Sequence, residues 1–138
     1  MIFEYLLLAW WFSLPAYVAN ICPGLARTLP YGKIPVSVNY LGPNKTWMAF
    51  PSALIGACVI AWTQGMLTYP QNYPEVTWWV AGACFGFGTV LGDWAKSLAK
   101  RRLGIAPGGK WWVEKIDFLI MSFILLTLTE GALPLQYY

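Results

Sequence analysis

A chain of 138 residues with 58% hydrophobic and 11% charged side chains has room for one domain. It departs from soluble globular composition (about 45–50% apolar and about 25% charged) in the direction expected when lipid replaces water as solvent. Histidine is absent, which excludes a histidine general base, a Ser-His-Asp triad and a histidine-based zinc site.

In chain order, four apolar runs approach the roughly 20 residues that a bilayer-spanning helix needs. The first covers about 5–21. The preceding Met1-Ile2-Phe3-Glu4 has no basic n-region, so this run is expected to stay in the mature protein rather than leave as a signal peptide. Pro15 is expected to kink it. The second run covers about 47–69, with no charge between Lys45 and Glu75. Pro70 and Pro74 bracket a short turn, and the third run covers about 76–92. Pro107-Gly108-Gly109 is expected to stop the helix that leaves the third run, and the fourth covers about 111–133. The fold class expected is therefore all-α: one integral-membrane domain, a bundle of about four transmembrane helices, joined by loops at 22–46 and 93–110 that form the active site. Gly82-x-x-x-Gly86 and Gly88-x-x-x-Gly92 have the small-xxx-small spacing of close helix packing. Cys22, Cys58 and Cys84 lie in or beside apolar runs without metal-ligand spacing and read as small packing residues.

Charge placement sets an orientation. All nine basic residues fall in two segments: Arg27, Lys33 and Lys45 in the first, and Lys96, Lys100, Arg101, Arg102, Lys110 and Lys115 in the second. The remaining ends and turn carry only Glu4, Glu75 and Glu130. The positive-inside tendency places both basic segments in the cytoplasm and both termini outside.

Three constellations could carry chemistry. If Asp93 to Arg102 is helical, Asp93, Ser97, Lys100 and Arg101 share a face at the membrane surface. The same stretch also reads as a basic stop that pairs with anionic lipid heads, although Asp93 opposes that use. Glu114 and Asp117 lie near the fourth run's start, just inside Trp111 and Trp112. The twelve residues Phe118 to Thr129 that separate Asp117 from Glu130 span about 18 Å as a helix, less than the hydrocarbon thickness of about 30 Å. Asp117 therefore reads as an acid below headgroup level and a functional candidate, and Glu130 as an outer-interface residue. Gly42-Pro43-Asn44-Lys45-Thr46 precedes the second run, where a helix start and a lysine suit a phosphate; it also reads as an ordinary capped helix entry. Carboxylates that hold Mg²⁺ beside lysines and arginines are the parts that phosphoryl and nucleotidyl transfer needs. A non-catalytic helical subunit whose basic loops bind anionic lipid or a partner protein is the alternative.

At these residues the chain resembles the membrane CTP-transferases, the phosphatidate cytidylyltransferase family. Ser97-Leu98-Ala99-Lys100-Arg101 matches the Ser-x-x-Lys-Arg half of that signature, and Glu114-Lys115-Ile116-Asp117 stands for its acidic half. The resemblance is closer to the small archaeal branch, the CDP-archaeol synthases, through Gly42-Pro43-Asn44-Lys45-Thr46-Trp47 and the Gly92 to Gly104 stretch. It departs at Met48-Ala49, where the family has Arg-Gly, and at Glu114, where it has Asp; the family also has a further hydrophobic helix. The resemblance implies transfer of CMP from CTP to 2,3-bis-O-geranylgeranylglyceryl phosphate, with Mg²⁺ as cofactor. It gives catalytic roles to Asp93, Asp117, Lys100 and Ser97, and metal binding to Asp93, Asp117 and Glu114. Substrate binding falls to Asn44, Lys45, Thr46, Lys96, Arg101 and Arg102. The partners implied are CTP, the isoprenoid ether lipid phosphate and the bilayer, with no nucleic acid. The location implied is the cell membrane, multi-pass, with the site on the cytoplasmic side.

Overall fold

The computed structural model describes residues 2–68, 75–105 and 116–132. They form four helices: α1 (Ile2–Ala26), α2 (Ala49–Thr68), α3 (Glu75–Arg102) and α4 (Asp117–Ala132). Among the described residues there is no strand beyond one antiparallel bridge between Pro35 and Thr46. α3 is the centre of the bundle: it packs along α2 and α4 and also touches α1, while α1 and α4 barely meet.

The packing is inside out relative to a water-soluble core. The buried positions of α1 and α2 are largely alanines: Ala16, Ala19, Ala53, Ala57 and Ala61. Large side chains such as Leu6, Trp10, Ile55, Trp62, Leu67, Ile120, Phe123 and Leu128 point outward and are exposed. In water such a surface would be an association liability. In lipid it is the expected arrangement, because small residues let helices approach and hydrocarbon solvates the large ones. α1 and α2 are long and apolar enough to cross a membrane, and α4 supplies a shorter apolar stretch, Asp117–Thr129. Composition, outward faces and these helices together make this a membrane protein.

Glycines set the spacing on two faces of α3. A methyl group at Gly82 would fall 2.7 Å from the Cys58 Cα, on α2. One at Gly92 would fall 2.6 Å from the Asp117 carbonyl oxygen, on α4. The two glycine pairs thus serve different neighbours, and the second fixes how closely the start of α4 approaches Asp93.

α1 runs as one helix through Pro15 and Pro23. Pro15 has no N–H for the carbonyl of Trp11, four residues back. Gln64 of α2, only 4% exposed, donates its Nε2 to that oxygen at 2.5 Å. Deeper in the bundle, the Ser122 hydroxyl donates to the Phe118 carbonyl at 2.7 Å and lies 3.4 Å from that of Thr89. Both are fully buried, and each has a partner, as polar groups in a low-dielectric interior require.

Sequence-based boundaries shift, and α1 runs on to Ala26, past the expected end at 21. The segment from Asp93 to Arg102, counted with the loop at 93–110, is the last part of α3. The helix also stops before Pro107-Gly108-Gly109, which lie outside the described residues. Gly104 ends it with φ +72°. Its N–H bonds the Arg101 carbonyl at 3.1 Å, and the Ile105 N–H bonds the Lys100 carbonyl at 2.9 Å. Those two bonds are a Schellman cap, which needs a residue that tolerates the left-handed region. α4 is described from Asp117, so the 111–115 portion of the fourth run lies outside the described residues.

Candidate functional site

The site lies where the C-terminal part of α3, the first residue of α4 and the loop before α2 meet. That loop is folded back on itself. The Val36 N–H donates to the Lys45 carbonyl at 2.8 Å and the Trp47 N–H to the Ile34 carbonyl at 3.1 Å. Gly42 makes the turn at φ +91°, in the left-handed region that favours glycine. Arg27, at the end of α1, donates from Nη1 to Asn44 Oδ1 at 3.1 Å. The result holds Lys45 over α3, where its ammonium pairs with Oδ2 of Asp93.

Asp93 is met from a second side. Lys96, one turn further along α3, sets its Nζ 3.0 Å from Asp93 Oδ1. The same nitrogen lies 2.9 Å from Oδ2 of Asp117 on α4. One ammonium therefore joins the two carboxylates, and acids 24 positions apart in sequence converge on a point. The Asp117 side chain is 7% exposed, that of Lys96 14% and that of Asp93 28%. Burial pulls the Lys96 pKa down, but the carboxylates of Asp117 and Asp93 outweigh it, so it stands above the ordinary lysine value. Lys96 is consequently a full positive charge at neutral pH.

Asp117 is incompletely satisfied. Its distance to Lys96 is that of an ion pair, yet neither of its buried carboxylate oxygens has a well-directed hydrogen bond among the described residues. A carboxylate at the first residue of a helix usually turns back to accept the helix's own N–H groups. This one is spent on the approach to α3 instead. The Asp117 carboxylate beside that of Asp93 offers hard oxygen ligands that fit a Mg²⁺ ion, which takes one or two carboxylates and completes its shell with water and phosphate oxygens. Among the described residues no third acidic, cysteine or histidine side chain joins them. Glu114, the third candidate ligand, lies outside the described residues.

The other candidates spread around this centre. Ser97 is buried, and its hydroxyl donates to the Asp93 carbonyl at 2.8 Å, one turn back along α3. Lys100 follows Lys96 on the same face and is also buried. Arg101 is half-buried. Its Nη1 donates to the Ile105 carbonyl, its Nη2 lies beside Gly42, and its buried Nε has no hydrogen-bond partner among the described residues. Arg102 and Asn44 are exposed at the rim. Thr46 is buried, 2% exposed, and bridges to Pro35 within the loop that carries Lys45.

Two side chains have larger parts here than the sequence suggests. Arg27 had no assigned role, although it orients Asn44. Lys96 was counted only as a substrate contact, whereas here it is the bridge between the acids; its place three residues after Asp93 was the available signal.

The CarS-like family, described as CDP-archaeol synthase, matches residues 2–137. A CDP-archaeol synthase of Methanopyrus kandleri is 30% identical over 131 residues, covering 90% of this chain and 72% of that relative. Its counterpart in Pyrococcus horikoshii is 34% identical over 136 residues, covering 91% and 79%. That of Thermococcus kodakarensis is 30% identical over 138 residues, covering 91% and 78%. No solved structure matches the chain significantly. A family match across nearly the whole sequence, on a bundle that brings Asp93 and Asp117 together, assigns this chain to the CDP-archaeol synthase family of CTP-dependent cytidylyltransferases.

Proposed function

We propose that this chain transfers CMP from CTP to 2,3-bis-O-geranylgeranylglyceryl phosphate, giving CDP-archaeol and pyrophosphate in a Mg²⁺-dependent reaction. The observation that carries the reading is the convergence of Asp93 and Asp117 on one cation position, with Lys45, Lys100 and Arg101 around it.

The chemistry asks little of the protein beyond placement. An oxygen of the lipid phosphate attacks the α-phosphorus of CTP, and the bond from that phosphorus to the bridging oxygen of the β-phosphate breaks. The electron pair leaves with pyrophosphate. The attacking phosphate is already ionised, so no general base is needed. Mg²⁺, held by Asp93 and Asp117 with Glu114 assisting, would supply neutralisation of phosphate charge. Lys45, Lys96, Lys100, Arg101 and Arg102 bind the phosphates and offset the negative charge that builds in the transition state. Asn44 and Ser97 orient them, Asn44 held by Arg27 and Ser97 by the α3 backbone. Thr46, next to Lys45 in the same loop, orients them as well. Binding both reactants in line accounts for much of the acceleration.

The helices cross the membrane four times in this reading. The site faces the cytoplasm at headgroup depth, where a lipid phosphate arrives from the bilayer and CTP from water. The segregation of all basic residues to two segments supports it. The test is direct. Purified protein with Mg²⁺, labelled CTP and the lipid phosphate is expected to form labelled CDP-lipid. Asp93→Asn and Asp117→Asn are expected to abolish it at unchanged expression. Near-normal turnover by either variant would overturn the metal assignment.

A further inference from the structure

Lys96 occupies a position that electrostatics reserves for a cation. Two carboxylates facing one another across a partly buried gap repel unless a positive charge lies between them. Here the gap is filled from within the chain: Nζ of Lys96 is 3.0 Å from Asp93 Oδ1 and 2.9 Å from Asp117 Oδ2. Metal–oxygen bonds of Mg²⁺ are about 2.0–2.1 Å long, so an ion shared by the same two oxygens and the ammonium cannot occupy that gap together. Once out of the gap, the ammonium is a buried charge in search of an anion, and a nucleotide triphosphate carries several.

We infer that Lys96 is a resident counter-cation: it holds Asp93 and Asp117 together before substrate binds, competes with the divalent ion for the gap, and transfers to phosphate when the metal–nucleotide complex enters. The inference rests on the metal-dependent transfer proposed above. It makes Lys96 a positioning residue whose charge lowers the site's affinity for bare metal while favouring metal that arrives with phosphate. The coupling is reciprocal, since whatever draws Lys96 onto phosphate strengthens the metal site by the same factor.

The sign of the effect separates this role from a purely structural one. If Lys96 merely ordered the two acids, neutralising it would loosen them and weaken metal binding. If it competes, neutralising it tightens metal binding. The experiment titrates Mn²⁺ into the full-length protein in detergent without nucleotide, counting free ion by electron paramagnetic resonance, with thermal melting alongside. Lys96→Met is expected to bind Mn²⁺ about tenfold or more tightly than wild type, within the range of coupled binding sites. Lys96→Gln, which keeps a polar tip of shorter reach, reads the same comparison should the methionine variant fail to fold. Lys96→Arg keeps the charge and can grip two carboxylates with its planar fork; it is expected to bind Mn²⁺ about threefold or more weakly, a direction set by the same competition. Unchanged or weaker binding by a folded Lys96→Met or Lys96→Gln, or unchanged or tighter binding by Lys96→Arg, overturns the inference. Asp93→Asn and Asp117→Asn are controls in the same titration. If they lose Mn²⁺ while the neutral Lys96 variants match wild type, the counter-cation role fails and the transfer reading stands. If they bind Mn²⁺ as wild type does, both fail.

Discussion

Polar groups are buried in two regions of this bundle, and the two are satisfied differently. Along the contacts between helices, Gln64, Thr89 and Ser122 are neutral, and each finds a carbonyl or hydroxyl partner. Where the end of α3 meets the start of α4, Asp93, Lys96 and Asp117 are charged, and the carboxylate oxygens of Asp117 lack well-directed hydrogen bonds among the described residues. The first region is arranged as stability requires, because an orphaned polar group in an apolar medium is costly. The second tolerates poor satisfaction, as sites that must bind something else do. The largest expected effect follows from this contrast. Asp117→Asn removes a charge that the folded state accommodates poorly, and Lys96 retains Asp93. Thermal melting is therefore expected to stay within about 1 kcal/mol of wild type, while turnover falls by about 100-fold or more. A variant that melted several kcal/mol lower would place Asp117 among the structural groups instead.

The two glycine pairs of α3 sharpen the comparison. Gly82→Ala and Gly92→Ala each push a methyl group against a neighbouring backbone, and each is expected to destabilise by about 1–3 kcal/mol through overpacking. Only Gly92 abuts Asp117. Gly92→Ala is thus expected to cut turnover about tenfold beyond Gly82→Ala, since small misplacements of reacting groups are heavily penalised. Equal activities, assayed well below both melting temperatures, would dissociate the α3–α4 spacing from the chemistry. A smaller effect is expected at Gln64. Gln64→Leu leaves the Trp11 carbonyl without its partner beside Pro15 and is expected to cost about 1 kcal/mol, read as a lower melting temperature at unchanged kcat.

Much of this was legible in the sequence because lipid imposes simple rules. Charge-free runs mark the helices, and the concentration of lysine and arginine in two segments puts Asp93 and Asp117 at one end of the bundle. The details that escaped are those set by tertiary contact. Pro107-Gly108-Gly109 looked like the natural stop for α3, but Gly104 caps it earlier, and a lone glycine after a basic run is a weaker signal than a Pro-Gly pair. The bridge between Pro35 and Thr46 is another such detail, because strand-like pairing over so few residues cannot be read from one sequence. Gln64 is an unremarkable polar residue in an apolar run until α1 is packed beside it, when the carbonyl that Pro15 leaves open falls within its reach.

The smallest effect is expected at the exposed edge of the site. Arg27 bonds Asn44 at 3.1 Å in a solvent-exposed pair, and such pairs contribute little to stability. The loop that carries Lys45 is held independently by its two backbone bonds to Ile34 and Val36. Removing the guanidinium therefore leaves Lys45 over Asp93 and frees only the Asn44 amide. Arg27→Ala is expected to change melting by less than about 0.5 kcal/mol and to leave kcat unchanged. The lost orientation of Asn44 should appear as a rise of about two- to fivefold in the KM for CTP, the pattern for a contact made equally in the ground and transition states. A fall in kcat of similar size with KM unchanged would mean that the pair acts on the transition state, and would move Asn44 from the rim of the site to its reacting centre.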